Sequence, residues 1–527
     1  MLFSQFNKSL AQVIVMSFLL PLKQRLRAFE ESLKTLADST DEVLTASSFM
    51  NWATMLLLAY FGGRLLFFAL SISSIVPPDE VTHAGLCKVF SKVFLLPGNT
   101  PESYEFGLAT NIPWLYYWIM GKLLHFNFFG ISDLVFLRLL NIPLAFGTVF
   151  FTWRTLLLMT RDRLTQLLLV VAMTNTTMFT LLSASVSYDN LTNLLAAMAV
   201  YFLLAFFKDR SGNLLAAAIL CQLAGCLTKF TFLPLVLVLN VLLFVHEFRN
   251  LRFLPASLRS YIQASGRRAL LLAVPILITL CLNLQLYGGN YLHYGTLNPS
   301  MATILSSKAA MNYRLDARGM IFNQYKEGKI SYMEALIMAG EIKHPGDKAD
   351  TFYLLMNYEN LKRNPQLWMG PLAYSGVWFE NMVGSIFGIK AHLIMAKDFI
   401  YRIPLYVILA LSLLGFAVRW RPRESGRLPP CLLAIIGYYS GYLIYEINYD
   451  SYLNYGAPGL TLYGRYLFPV MCPVYVLVSV YLLRLFRNDY IRCALALATA
   501  LLLISYDFPW FLAHVTPEWY AHQSLLQ

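Results

Sequence analysis

The chain has 527 residues, of which 57% are hydrophobic and only 13% charged, with a mean hydropathy of +0.55. Soluble domains carry roughly 25% charged residues, so composition excludes an ordinary soluble protein. The formal net charge of +12 does not signal nucleic-acid binding. No basic stretch with interleaved aromatics resembles a nucleic-acid motif, and most Lys and Arg lie in short segments between apolar runs.

At the N-terminus, Leu10 to Leu20 is apolar but short, and Lys23, Arg25 and Arg27 follow without a signal-peptide cleavage pattern. Leu22, Leu26, Phe29, Leu33 and Leu36 then recur at helical spacing among charges. Residues 1–50 are therefore expected to be a cytoplasmic or interfacial amphipathic segment. From Trp52 onward, apolar runs predict roughly eleven spans. They fall near 51–75, 134–158, 164–183, 191–207, 213–228, 231–246, 269–287, 397–418, 430–447, 466–486 and 491–511. The runs are continuous rather than alternating, which favours an all-α polytopic bundle over a barrel.

Charge between the runs orients them. With residues 1–50 inside, the inner connections hold Arg161 and Arg163; Lys208 and Arg210; Arg249, Arg252, Arg259, Arg267 and Arg268; Arg419, Arg421, Arg423 and Arg427; and Arg484, Arg487 and Arg492. The short outer connections at 184–190 and 448–461 hold neither Lys nor Arg. A crossing by Leu108 to Phe126 would reverse every later connection. Its Asn111, Pro113 and Lys122, set among Trp and Tyr, predict an interfacial or re-entrant helix instead. Leu86, Val89, Phe90, Val93 and Phe94 form a narrow apolar stripe before it, so the first outer loop is expected to hold two helices along the membrane.

The expected organisation is thus 1–50; a transmembrane module 51–287 whose first outer loop spans 76–133; an outer, mostly helical region 288–396; and C-terminal spans in 397–527. The outer region is the one large hydrophilic segment, with helical stretches around Tyr332–Ile342 and Thr351–Lys362. Seven cysteines are scattered without a CxxC pair and read as small core residues.

Five features fall on the outer face: Asp79-Glu80, Arg138, Tyr188-Asp189-Asn190, Lys229 and Gly464-Arg465-Tyr466. Each has a plain account. Asp79 and Glu80 suit the first turn of a helix, Arg465 suits snorkelling to headgroups and Arg138 either snorkelling or an ion pair that holds the acidic loop in place, and Ser187 or Asp189 suits an N-cap. His83 reads first as a polar neighbour rather than a metal ligand. An unpaired Lys229 in a tight hairpin between apolar spans is costly unless an anion meets it, such as a lipid phosphate. Arg465 has the planar fork that grips phosphate. Tyr188 and Asn190 offer hydrogen-bonding groups suited to a sugar, and Tyr449, Tyr452 and Tyr455 are candidate stacking platforms. Acids that take a proton from a hydroxyl, beside cations that hold a phosphate, point to glycosyl transfer from a lipid-phosphate-linked sugar.

The same residues carry a family resemblance. Pro-Pro-Asp-Glu-Val-Thr-His (77–83) resembles the acidic first-loop motif of the GT-C membrane glycosyltransferases, particularly bacterial members with a Pro-Asp-Glu-Pro-x-His signature. Arg-Leu-Leu-Asn-Ile-Pro-Leu-Ala-Phe-Gly (138–147), Ser-Val-Ser-Tyr-Asp-Asn (185–190), Leu-Thr-Lys-Phe-Thr-Phe-Leu-Pro (227–234) and Tyr-Gly-Arg-Tyr-Leu-Phe-Pro (463–469) are similar to later motifs. Val81 stands where that signature has Pro. The resemblance implies a GT-C fold, a polyprenyl-phosphate sugar donor, and inverting transfer to a glycan, lipid or protein hydroxyl on the periplasmic face of a bacterial inner membrane. It further implies Asp79 as general base with Glu80 in support, and Lys229 and Arg465 on the donor phosphate. His83, Arg138, Tyr188, Asp189, Asn190 and Tyr466 are expected to support these groups or bind substrate. It leaves open whether a divalent cation takes part. The alternatives are a transporter or flippase of lipid-linked sugars and an O-antigen polymerase or ligase.

Overall fold

The structure, a computed structural model, describes residues 47–100, 103, 106–247, 267–311, 313–343, 345–390, 393–395, 399–421 and 427–521. The amphipathic helix expected near residues 22–36, and Arg249, Arg252, Arg259 and Arg423, lie outside the described residues.

Among the described residues, nine helices are long and apolar enough to cross a membrane, which makes this an all-α, multi-pass membrane protein. They begin with α1 (Ser47–Ser71), which leads into an outer loop. That loop holds α2 (Glu80–Ser91) and α3 (Leu115–Leu123), two short helices that pack on one another. The nine residues of α3, followed by the single turn Leu124–Phe126, are too few to cross a bilayer. The Trp- and Tyr-rich stretch at 108–126 therefore does not cross, and the two-helix loop expected from the apolar stripes is present.

Next come α4 (Asp133–Leu157), α5 (Arg163–Thr174) and α6 (Thr177–Ser183). The α5–α6 pair is one apolar run bent by 67°. After it, α7 (Tyr188–Asp209) and α8 (Gly212–Thr228) form a hairpin, and α9 (Leu233–Glu247) follows a 3-10 turn at Phe230–Phe232. A further membrane helix, α10 (Arg267–Asn283), continues as helix through Tyr294. Ten of the eleven expected segments thus appear as the nine long helices and the bent pair, and the eleventh is α8, a shorter apolar helix of 17 residues.

The outer region is helical, built from α11 (Arg314–Lys326), α12 (Tyr332–Gly340), α13 (Pro345–Arg363) and α14 (Pro371–Phe387). Ile321, Phe322, Ala335, Ala339 and Leu355 form its own apolar core. A small antiparallel ribbon pairs Ile389 with Met395, and α15 (Phe399–Arg419), α16 (Leu428–Tyr442), α17 (Met471–Arg484) and α18 (Asp489–Tyr506) complete the membrane part. The tyrosines at 449, 452 and 455, candidate stacking platforms by sequence, make contacts between the outer region and the spans. The Tyr449 hydroxyl donates to the Met369 carbonyl at 3.0 Å, Tyr452 is buried and its hydroxyl accepts from the Met369 amide at 2.8 Å, and Tyr455 packs on Phe322 at 4.8 Å. Large amphipathic rings are here the mortar between lobe and spans.

The break between α5 and α6 frees a backbone carbonyl inside the bilayer, where nothing from solvent can satisfy it. Arg64, in the middle of α1, does so by donating to Thr174 O at 2.7 Å and to Asn175 Oδ1 at 3.1 Å, while pairing with Asp507. This ionisable pair is buried within the spans because a kinked helix needs a donor at depth.

Candidate active site

Pro77 and Pro78 are buried and cannot donate backbone hydrogen bonds, so helix α2 starts only after them. Asp79 is its N-cap, held in the left-handed region at φ +59°. Asp tolerates that conformation better than most residues, at a cost of about 1–2 kcal/mol. The twist separates the two acids, and each meets a different cation.

Glu80 is fully buried beneath α2. Arg138 grips it with both arms, Nε to Oε1 at 2.9 Å and Nη2 to Oε2 at 2.5 Å, and the Val186 amide also donates to Oε1 at 2.8 Å. The remaining Arg138 nitrogen donates to Ala69 O and Ile72 O at the end of α1. Arg138 therefore does not snorkel. Its guanidinium ties α1, α2, α4 and the 184–187 turn together, and Glu80 does not line the cavity.

Asp79 meets Arg465 instead. Arg465 Nη2 donates to Asp79 Oδ2 at 2.7 Å, and Nη1 lies 3.4 Å from Pro78 O and 3.7 Å from Asp189 Oδ2. Asp189 in turn pairs through Oδ1 with the Lys229 ammonium. Four groups thus form one chain, Asp79–Arg465–Asp189–Lys229, with two charges of each sign. The anion that Lys229 was expected to find in a lipid phosphate is supplied by the protein's own Asp189, because an isolated ammonium buried there would be too costly. The helix cap at α7 falls to Ser187, which accepts from the Asp189 amide at 3.2 Å. Side-chain exposure separates the four: 26% for Asp79 against 4% for Arg465, 6% for Lys229 and 2% for Asp189. Asp79 is the one of the four with a partly open side chain.

The aromatic frame is tight. Lys229 Nζ lies 4.9 Å and 5.0 Å from the ring centres of Tyr188 and Tyr466, and Arg465 lies over Tyr466 at 5.4 Å. Such faces stabilise cations where water is scarce. His83 sits one turn beyond Asp79, with Nδ1 2.9 Å from the Tyr117 hydroxyl and its ring edge-on to Tyr188 at 4.5 Å. Burial depresses its pKa to about 4, so the ring is neutral near pH 7. Asn190 was expected to face a sugar. Instead its amide is surrounded by Leu182 O, Ser185 O and Asn141 Oδ1 at 2.9–3.0 Å, which pins the turn before α7.

A cavity of about 830 Å³ opens over this chain. Asp79, His83, Tyr188, Lys229, Arg465 and Tyr466 line it; Glu80, Arg138, Asp189 and Asn190 stand behind. Its far wall comes from the outer lobe and includes Asp316, Arg318, Asp347 and Asp350, none of which sequence reasoning singled out. Burial raises the Asp316 pKa, partly offset by the Met301 amide that donates to it. A hydrophilic lobe gives no pattern that distinguishes wall residues from solvated ones. Among the described residues no group of three or more His, Cys, Asp and Glu is placed to hold a metal ion.

Fold and site together define a polytopic membrane protein whose helix ends and outer lobe enclose a charged, aromatic-walled cavity. No family model matches the sequence, and no curated protein matches it. Among solved structures, the chain is similar to the crystal structure of ArnT from Cupriavidus metallidurans in the apo state. Identity is 10% and the TM-score 0.35, over 83% of this chain and 78% of that one. A likeness at that level does not identify the chemistry, which rests on the residues themselves.

Proposed function

We propose that this protein is a membrane glycosyltransferase of the GT-C type, which moves a sugar from a polyprenyl-phosphate donor to a hydroxyl of a glycan, lipid or protein acceptor. Asp79 accepts the proton of the acceptor hydroxyl, and the freed oxygen attacks the anomeric carbon from the face opposite the phosphate. The anomeric C–O bond to phosphate breaks with inversion, and its electron pair leaves on the polyprenyl phosphate. Arg465 and Lys229 stabilise that growing charge. In the resting chain these cations are neutralised by Asp79 and Asp189; a donor phosphate would draw Arg465 off Asp79 and leave the carboxylate ready as base. Glu80 and Arg138 act at one remove, by fixing where Asp79 points.

The observation that carries the reading is the Asp79–Arg465 contact at the cavity wall. It joins a partly open carboxylate to a phosphate-type cation at the end of a lipid-embedded bundle. The distribution of Arg and Lys between spans supports a multi-pass placement in the inner membrane with the cavity facing the periplasm. Within this reading, residues 51–287 form the catalytic transmembrane module, 288–396 the acceptor-side lobe, and 397–527 the spans that supply Arg465. The test is mass spectrometry of cell-envelope glycans from cells lacking the protein, in which one sugar increment should disappear.

A transporter of lipid-linked sugars is the second reading. The Arg64–Asp507 pair beside a broken helix favours it, since transporters place ionisable groups at helix breaks in the membrane. That pair, however, is buried and engaged with backbone, and it does not line the cavity. Loss of lipid-linked sugar movement across vesicles, with no loss of sugar transfer, would decide for transport.

A further inference from the structure

The helices that bring the charged chain together carry a second concavity at their other ends. We propose that it binds the anionic phosphate headgroup of a membrane lipid, on the face opposite the glycosyl-transfer site.

Helix α7 carries Asp189 in its first turn and Lys208 in its last, and the segment that opens with Gly464-Arg465 ends at Arg484. At 1.5 Å per residue, the two faces lie about 30 Å apart. Between Lys208, Arg484 and Arg427, at the start of α16, lies a cavity of about 530 Å³. Apart from His246, its other walls are apolar, with Phe207, Leu242 and Val245 among them. Val245 is 67% exposed and continues the apolar outer surface of α9 with Val241 and Phe244. The concavity therefore opens sideways, where acyl chains run, as well as toward the inner surface.

Charge favours an anion. Four helices, α4, α7, α9 and α17, end at this cavity, and their carbonyls contribute partial negative charge. Three side-chain cations outweigh it. Glu247, next to His246, is engaged by Arg210. His246 Nε2 is buried without a hydrogen-bond partner, 3.8 Å from Glu247, and its ring lies 4.1 Å from Phe207. Arg484 spends one contact on Met159 O at 3.3 Å. The topology bias of membrane proteins accounts for cations along this face; it does not account for three of them around a hollow with apolar walls. An amphiphile with a phosphate head fits both features, and free phosphate fits only the cations.

The test is native mass spectrometry of the full-length protein released from detergent, titrated with phosphatidylglycerol or phosphatidylcholine. The wild type should retain phosphatidylglycerol at least fivefold better than phosphatidylcholine. Lys208→Gln/Arg427→Gln alters two exposed side chains far from Asp79, and it should bring the two lipids to parity while eluting as a folded, monodisperse species. Equal retention of both lipids by the wild type would overturn the proposal, as would an unchanged preference in the variant. Displacement of phosphatidylglycerol by millimolar inorganic phosphate would overturn the assignment to a lipid.

Discussion

Arg465 lies 386 residues beyond Asp79 in the chain, and its guanidinium donates to the Asp79 carboxylate at 2.7 Å. That contact closes the membrane bundle on itself, since one partner follows α1 and the other precedes α17. It also couples the group that would take a proton to the group that would hold the leaving phosphate.

Arg465 reaches Asp79, Asp189 and the Pro78 carbonyl at once, a pattern that needs a fork rather than a point charge. Arg465→Lys should therefore raise the KM for the lipid donor by about tenfold or more, the size of one lost charge-assisted contact. The variant should still insert. Donor kinetics in reconstituted vesicles check this, and an unchanged KM would remove Arg465 from the phosphate site.

The Glu80–Arg138 pair predicts a stability effect that differs from a kinetic one. Arg138→Met leaves a buried carboxylate with the Val186 amide but no cation, which should cost about 3–5 kcal/mol. Adding Glu80→Gln should recover most of it, because the amide carries no charge to strand. Melting of the detergent-solubilised proteins distinguishes the two. If the single and double variants melt alike, the pair does not hold the acidic loop.

His83 has a depressed pKa of about 4, against about 6.5 when unfolded. The unfolded chain then binds the extra proton first as pH falls. Stability from a neutral His83 is thus intact above pH 6.5 and drains away between 6.5 and about 4. His83→Gln should melt with a shallower pH dependence across that window. An identical dependence would mean that His83 is not held neutral by burial.

Gly464 lets the chain enter the site. A Cβ there would stand 2.5 Å from Ile386 Cγ1 and 2.8 Å from Ser385 Oγ, which accepts the Gly464 amide hydrogen at 2.7 Å. Gly464→Ala should push Arg465 off Asp79 and reduce transfer about as much as Arg465→Lys does, while Gly437→Ala, where the added carbon meets nothing within 4 Å, should be silent. Activity equal to wild type in Gly464→Ala would show that the approach is not tight.

Much of the frame was legible in the sequence, because apolar runs and charge bias report span positions and their parity directly. Parity alone placed Asp79, Asp189, Lys229 and Arg465 at one end of the bundle, where the structure brings them into contact. The acidic loop was legible as one of two destinations for Arg138, though not Glu80 in particular, 58 residues away. The partner of Lys229 was not legible: Asp189 lies 40 residues away, and no periodicity encodes such a pair. The same limit hid Arg64 with Asp507. Asp316, Asp347 and Asp350 became visible as a cavity wall only once the lobe had folded against the same cavity as α2.

The proposed chemistry meets its most direct test at Asp79. Cells lacking the protein would be complemented with the wild type or with Asp79→Asn, and their envelope glycans weighed by mass spectrometry. The wild type should restore the missing sugar increment, whereas Asp79→Asn, inserted at equal level, should restore less than about one hundredth of it, the scale of a lost general base. Full restoration by Asp79→Asn would contradict the account.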